Sequence, residues 1–222
     1  MTRGLIPGWP CALVALLAAA ALCAWSEPAP VFELDYSNPQ LVPAQWTLEL
    51  HPDGSGHFRS RRGDAMPTQD IEPPDINRDI QVSAQFAEHV FQVAEKKQLF
   101  KAGCESHLNV AFQGTKKFVV QSPAGEGSCE FNYSKDNDIQ ALADSLMSVA
   151  NTLIEGARLQ TLLLHDRLGL DRETQVLVES ANDGRAQQIG SIRDILERLV
   201  DDPTVLDRVK RRARLLLSKA SD

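Results

Sequence analysis

Hydrophobic and polar side chains alternate in the segment that begins at Trp46, with Leu48 and Leu50 on the same face as Trp46. A period of two is typical of a half-buried strand. A turn-forming cluster at 52–56 contains two glycines, which can adopt positive φ where a chain reverses, and a short run containing Phe58 follows it. The pattern therefore predicts a β-hairpin.

A second pattern begins after a polar, proline-containing loop at 63–78. From about Ile80 to Phe100, apolar residues recur at three- and four-residue intervals, which indicates an amphipathic helix. Gly103 stands where a C-terminal cap is expected. We expect this helix to place Phe86 and Val90 against a sheet.

Three strand-like runs follow the predicted helix. They are His107–Gln113, Lys117–Gln121 and Ser128–Tyr133, and turn-forming residues separate them. Beyond them, apolar spacing predicts a long helix from about Ile139 to His165 and three shorter ones, at about 171–181, 185–200 and 203–218. The last begins at Asp202-Pro203, a typical N-cap and first-turn pair.

These elements predict an α+β fold, a mainly antiparallel sheet in the order β-β-α-β-β-β-α with helices on one face. The chain divides into a signal peptide at 1–26, a Pro-rich extended leader at 27–44, an α+β domain at 45–166 and a C-terminal helical segment at 167–222. Whether the helical segment contacts the sheet domain is open at this stage.

The start of the chain has the layout of a cleavable signal peptide. Arg3 precedes the uncharged run Ala12–Leu22, and Ala24-Trp25-Ser26 supplies small residues at the two positions that define a cleavage site. A retained membrane anchor is the alternative, but the apolar stretch is shorter than the roughly 20 residues of a spanning helix. A lipid-anchored Cys23 would need a small residue where Leu22 stands. We therefore predict a periplasmic or secreted protein.

Charge and cysteine content narrow the function classes. The chain has 222 residues and a formal net charge of −7, which argues against nucleic acid as a partner because phosphate contacts need clustered cations. Beyond the signal, Cys104 and Cys129 remain, each at the entry of a predicted strand. In an oxidising compartment we expect them to form a disulfide. The alternative is a catalytic Cys104 assisted by His107.

Candidate chemistry is sparse. His51 and His57 flank the hairpin turn with Asp53 between them, so they are weak candidates for a metal site or a hydrolase centre. No nucleotide, cofactor or catalytic motif is present, and we expect no cofactor. The basic C-terminal helix either contacts an anionic membrane or acidic partner, or lies as an amphipathic helix on the body of the protein.

The run Leu48-Glu49-Leu50 followed by Asp53–Phe58, with the cysteine-containing strands behind it, resembles uncharacterised exported bacterial proteins. The resemblance implies a periplasmic or secreted location and no particular activity. Our leading hypothesis is a non-catalytic exported protein that binds a protein or a cell-envelope component. The alternatives are a small-molecule or lipid carrier, with its ligand between the sheet and the Phe86/Val90 helix, and a hydrolase with an unrecognised site.

Overall fold

We describe the protein from a computed structural model. It describes Met1, residues 29–66, Glu72 and residues 74–220. Apart from Met1, the predicted signal peptide lies outside the described residues.

The described strands form a six-stranded antiparallel sheet in the order β4-β3-β2-β1-β5-β6. Their bounds are β1 Val31–Ser37, β2 Gln45–Leu50, β3 Ser55–Arg61, β4 Asn77–Gln81, β5 Thr115–Ser122 and β6 Gly125–Phe131. The described helices are α1 Ala84–Lys96, α2 Asn137–His165, α3 Gly169–Asn182, α4 Arg193–Asp201 and α5 Asp207–Lys219, with 3₁₀ turns at Gln98–Phe100 and Ile189–Ile192. The predicted α+β class and β2–β3 hairpin are confirmed.

The alternation of side chains gives the sheet a buried and a solvent-facing side. Strand register aligns Phe58, Leu48, Leu34, Phe118 and Cys129 in one row from β3 to β6, and each is buried. Such cross-strand apolar neighbours are the main stabilising unit of a sheet. The opposite side carries polar and partly exposed residues, so the sheet has one face free of helices.

The C-terminal helices belong to the same hydrophobic core as the sheet, which answers the question that the sequence left open. Helix α2 contacts α1, α3 and α4. Arg78 on β4 donates to Ser191 O at 3.3 Å and forms an ion pair with Asp194 at 2.9 Å. At Gly156 the helices approach so closely that an added Cβ would lie 2.5 Å from Ile192 Cγ2.

The last two helices start later than predicted. The helix expected from about 185 begins at Arg193, after the 3₁₀ turn. The helix expected at Asp202-Pro203 begins at Asp207, because Asp202 accepts from Thr204 N at 2.8 Å and closes a turn instead.

Three further sequence-based assignments need correction. The predicted leader at 27–44 contains β1, an interior strand between β2 and β5, because its prolines flank rather than interrupt the alternating residues 31–37. The start of the predicted helix at Ile80 is instead the end of β4, a polar strand in which only Ile80 is buried. The segment His107–Gln113 is not a strand. Strands β5 and β6 therefore form a hairpin to which the predicted strand at 107–113 is not added. The element order is therefore β-β-β-β-α-β-β-α.

We expect Gly156→Ala to lower the free energy of unfolding by about 1–3 kcal/mol, because the new methyl group would overlap Ile192 and overpacking costs this much. Alanine would otherwise strengthen a helix interior. Gly190→Ala is the control, since its Cβ would find no atom closer than 3.6 Å. Urea denaturation measures both, and an increase in stability for Gly156→Ala would contradict the packing.

Candidate functional site

The three residues predicted as weak metal or hydrolase candidates, His51, His57 and Asp53, each contact different side chains. Nδ1 of His57 lies 2.7 Å from Asp79 Oδ1, and its Nε2 lies 2.6 Å from an amide oxygen on β4. The hydrogen bond to Asp79 is the main cause that raises the pKa of His57. His51 Nε2 lies 3.4 Å from Glu49, a neighbour on β2. Asp53 accepts hydrogen bonds from the main-chain N and the hydroxyl of the serine at position 55, at 2.9 and 2.6 Å.

These contacts do not assemble a metal centre. Within the described part of the chain, no group of three or more histidine, cysteine or acidic side chains is arranged to hold a metal ion. The sulfur of Cys104 is bonded to Cys129, with a Cα–Cα distance of 5.7 Å, so the predicted disulfide is present. Because the nucleophile of a Cys104–His107 pair would have to be a free thiolate, that alternative is wrong.

The most unusual surface feature is the segment His107–Gln113, which we call the apolar loop. All of its residues are exposed. Leu108, Val110 and Phe112 retain 49%, 38% and 56% of their accessible surface. The alternation that predicts a strand here is real, but in the described structure no strand pairs with it. Three large apolar side chains within five residues therefore face solvent.

The N-terminal end of the loop is fixed by a disulfide and a carboxylate. Cys104 is bonded to β6, and Ser106 N donates to Tyr133 O at 2.9 Å. The carboxylate of Glu105 accepts from Asn132 N at 2.7 Å and from His107 N at 3.1 Å. These main-chain donors, the N–H of Asn132 foremost, lower the pKa of Glu105. The charged form of Glu105 therefore holds the loop to the residues after β6.

The C-terminal end of the apolar loop is held by the side chains of Asn132 and Tyr36. The side chain of Asn132 accepts from Gln113 N at 2.7 Å and donates to Ala111 O at 3.0 Å. Tyr36 donates to Gln113 O at 2.9 Å. Gly114 has a φ of +102°, and a Cβ there would lie 2.4 Å from the ring of Tyr36, so the chain needs glycine at this point.

The buried Lys116 binds Asn132 from the interior of the protein. Lys116 is 3% exposed, and its Nζ donates to Asn132 O at 2.8 Å. Burial lowers the pKa of Lys116, and its ammonium group lies 5.9 Å from the centre of the Phe131 ring. A buried ammonium group is tolerated only where it is hydrogen-bonded, so this contact helps to fix the position of Asn132.

The loop therefore has a fixed backbone and free apolar side chains. Such an arrangement suits binding, because little conformational entropy remains to be lost when a partner covers the side chains. In the sequence, the site is marked by the alternation of apolar and polar residues at 107–113, a pattern that predicts a strand.

The space proposed for a carried ligand is occupied by side chains. Val90 and Ala87 on α1 are fully buried, as are Phe32 and Phe118 on the sheet, and Phe86 is partly buried against the core. The face of α1 that carries Phe86 and Val90 therefore leaves no room for a ligand. A cavity of about 500 Å³ does lie beside α1, lined by Phe91, Leu99 and Val120 among others, so the carrier alternative stays a prediction.

The basic terminal helix α5 contacts the body of the protein. Its residues Val209, Ala213 and Leu216 are buried. Arg208 and Arg212 form ion pairs with Asp171 on α3, at 2.7 and 2.6 Å. The apolar stripe and part of the charge are thus used internally, and a membrane contact of this helix stays a prediction.

Comparison with known proteins adds no assignment: neither a protein-family profile nor a curated protein matches this sequence. Among the helices of the described residues, none combines the length and apolar character needed to cross a membrane.

A buried ionic cluster between α2 and α3 escaped the sequence analysis. Arg158 donates to the carboxylate of Glu155 at 2.9 and 3.0 Å and to Glu173 at 3.1 Å. Burial is the main cause that raises the pKa of Glu155 to about 8, followed by its hydrogen bond with Glu173. The carboxylate of Glu72 is a third neighbour, 3.7 Å from Arg158. Because buried carboxylates so close together cannot all ionise cheaply, the protonated form of Glu155 is favoured.

We expect the free energy of unfolding to fall as pH rises from about 4.5 to about 8 at this cluster, because the folded state binds the Glu155 proton more tightly than the unfolded state. The side chain of Glu155→Gln keeps an N–H donor but does not titrate. The stability of this variant relative to the wild type should therefore be higher at pH 8 than at pH 5, by at least about 1 kcal/mol in the free energy of unfolding. Urea denaturation at both pH values measures this gain. Glu126→Gln, at an exposed site, is the control, and parallel pH dependence of wild type and Glu155→Gln would contradict the assignment.

We expect Asn132→Ala to loosen the apolar loop, because it removes both side-chain hydrogen bonds that hold Ala111 and Gln113. Hydrogen exchange at the Gln113 amide should become about tenfold faster or more, since each lost hydrogen bond is worth about 1 kcal/mol. Asn109→Ala, within the same loop, should leave that rate unchanged. Unaltered exchange in Asn132→Ala would show that Asn132 does not hold the loop.

Proposed function

We propose that this protein is an exported, non-catalytic binding protein that contacts a partner protein through the apolar loop. The observation that carries the proposal is the exposure of Leu108, Val110 and Phe112 on a backbone held at both ends. Contiguous exposed apolar groups of this kind commonly mark interaction sites.

The three side chains can supply enough free energy for binding a protein partner. Fully burying one leucine, valine or phenylalanine side chain contributes about 1.5–3 kcal/mol, so three together can dominate a modest interface. A few anchoring side chains usually carry most of the binding energy, surrounded by near-neutral contacts. Because its backbone is already ordered, the loop can act as such an anchor at low entropic cost.

The disulfide supports an extracytoplasmic location. Cys104 and Cys129 are bonded, and such bonds form and persist mainly in oxidising compartments. Together with the signal-like start of the sequence, this pair supports a periplasmic or secreted protein.

The test replaces the three apolar side chains together, as Leu108→Ser, Val110→Ser and Phe112→Ser. Wild-type and variant proteins are immobilised, proteins retained from a cell-envelope extract are identified by mass spectrometry, and each one is then purified and titrated by calorimetry. We expect at least one protein that binds the wild type directly and binds the loop variant at least ten times more weakly.

A matched control carries Leu168→Ser, Val176→Ser and Leu215→Ser, three exposed apolar sites that lie just before α3, on α3 and on α5. This control should bind the partner like the wild type. If every directly bound protein has the same affinity for the loop variant, or if the wild type binds none, the proposal is overturned.

A further inference from the structure

The solvent-facing side of the sheet contains a second surface, which we call the outer cleft. It has a volume of about 470 Å³ and lies over β1, β2, β3, β5 and β6. The residues on which the argument depends are Asp35, Thr47, Arg59, Arg61, Lys117 and Glu130. Its volume lies within the range of about 300–1,000 Å³ that is usual for small-molecule sites.

Strand register places the charged groups of the cleft in one row. Arg59 lies opposite Thr47, and Thr47 lies opposite Asp35. Asp35 in turn lies opposite Lys117, and Lys117 opposite Glu130. With strands about 4.8 Å apart, Arg59 and Lys117 are separated by roughly 14 Å across the face. Their long side chains can therefore reach the same ligand from two sides.

The cations of the cleft form no close ion pair, although Arg59 interacts at longer range with the carboxylate of Glu33 on β1. Within the described part of the chain, Arg59, Arg61 and Lys117 have no carboxylate oxygen within 4.0 Å, although the chain has a net charge of −7. Other arginines, such as Arg78, do find carboxylate partners. An arginine fork binds a carboxylate through two parallel hydrogen bonds, which makes it a selective anion donor.

The cleft also contains acceptors for hydroxyl groups. The Asp35 carboxylate already accepts the Thr47 hydroxyl at 2.7 Å and has further acceptor capacity. Glu130 lies at the far side of the same row. These two carboxylates would repel a plain anion, but they would accept hydrogen bonds from hydroxyl groups. Cationic and acidic groups side by side therefore favour a ligand that carries both a carboxylate and hydroxyls.

We propose that the outer cleft binds a small hydroxylated carboxylate of the sugar-acid class. The ligand carboxylate binds Arg59 at one end of the row, and the ligand hydroxyls donate to Asp35 and Glu130, which stand on either side of Lys117. This site is independent of the apolar loop and does not depend on a protein partner.

The test titrates the isotope-labelled protein with D-glucuronate, D-glucose and inorganic phosphate at equal ionic strength and follows amide resonances. Glucuronate should give saturable shifts at Thr47, Arg59 and Lys117, whereas glucose and phosphate should bind at least five times more weakly. The double variant Arg59→Gln/Lys117→Gln should weaken glucuronate binding at least fivefold, and its remaining resonances report that the fold is intact.

The matched control Arg211→Gln/Lys219→Gln removes the same charges from exposed positions on α5. Its glucuronate affinity should equal that of the wild type. Absent glucuronate shifts, equal binding of phosphate or glucose, or equal losses in the two double variants would each overturn the proposal.

Discussion

Asn132 is the residue on which the exposed surface of this protein depends. Its main-chain N–H is bound by Glu105, its carbonyl by the buried Lys116, and its side chain by the backbone at Ala111 and Gln113. Three of these hydrogen bonds join the residues after β6 to the two ends of the apolar loop, and the fourth joins them to β5. Because Asn132 satisfies Ala111 O and Gln113 N, these two backbone groups need no strand partner.

In this arrangement the contacts that fix the main chain of the apolar loop do not involve its apolar side chains. Hydrogen bonds between polar groups fix the main chain, while Leu108, Val110 and Phe112 remain without a cover. Exposed apolar groups commonly mark interaction sites, and the proposed binding role rests on this observation. The disulfide at Cys104 adds a covalent tie to β6 at the same end of the sheet.

The sequence predicts those elements whose local pattern agrees with their tertiary environment. The β2–β3 hairpin follows from alternation and turn glycines, and the long helix α2 from its apolar spacing. Strand β1 was missed because prolines near it suggested a leader, and β4 because Ile80 is its single buried residue. The segment 107–113 has the pattern of a strand, but contacts with Asn132, 19 or more residues away, decide its conformation.

The candidate site was predictable only in part for the same reason. The disulfide could be inferred from cysteine count and compartment, although the strand predicted to follow Cys104, His107–Gln113, is not formed. Burial, followed by the hydrogen bond with Glu173 on another helix, raises the pKa of Glu155, and neither cause can be read from the local sequence.

The central claim is that the apolar loop is ordered in the free protein. Nuclear magnetic relaxation of the backbone amides at 107–113 tests it most directly. The account predicts order parameters near those of the strands, about 0.85, whereas values below about 0.6 would show a flexible loop and contradict it.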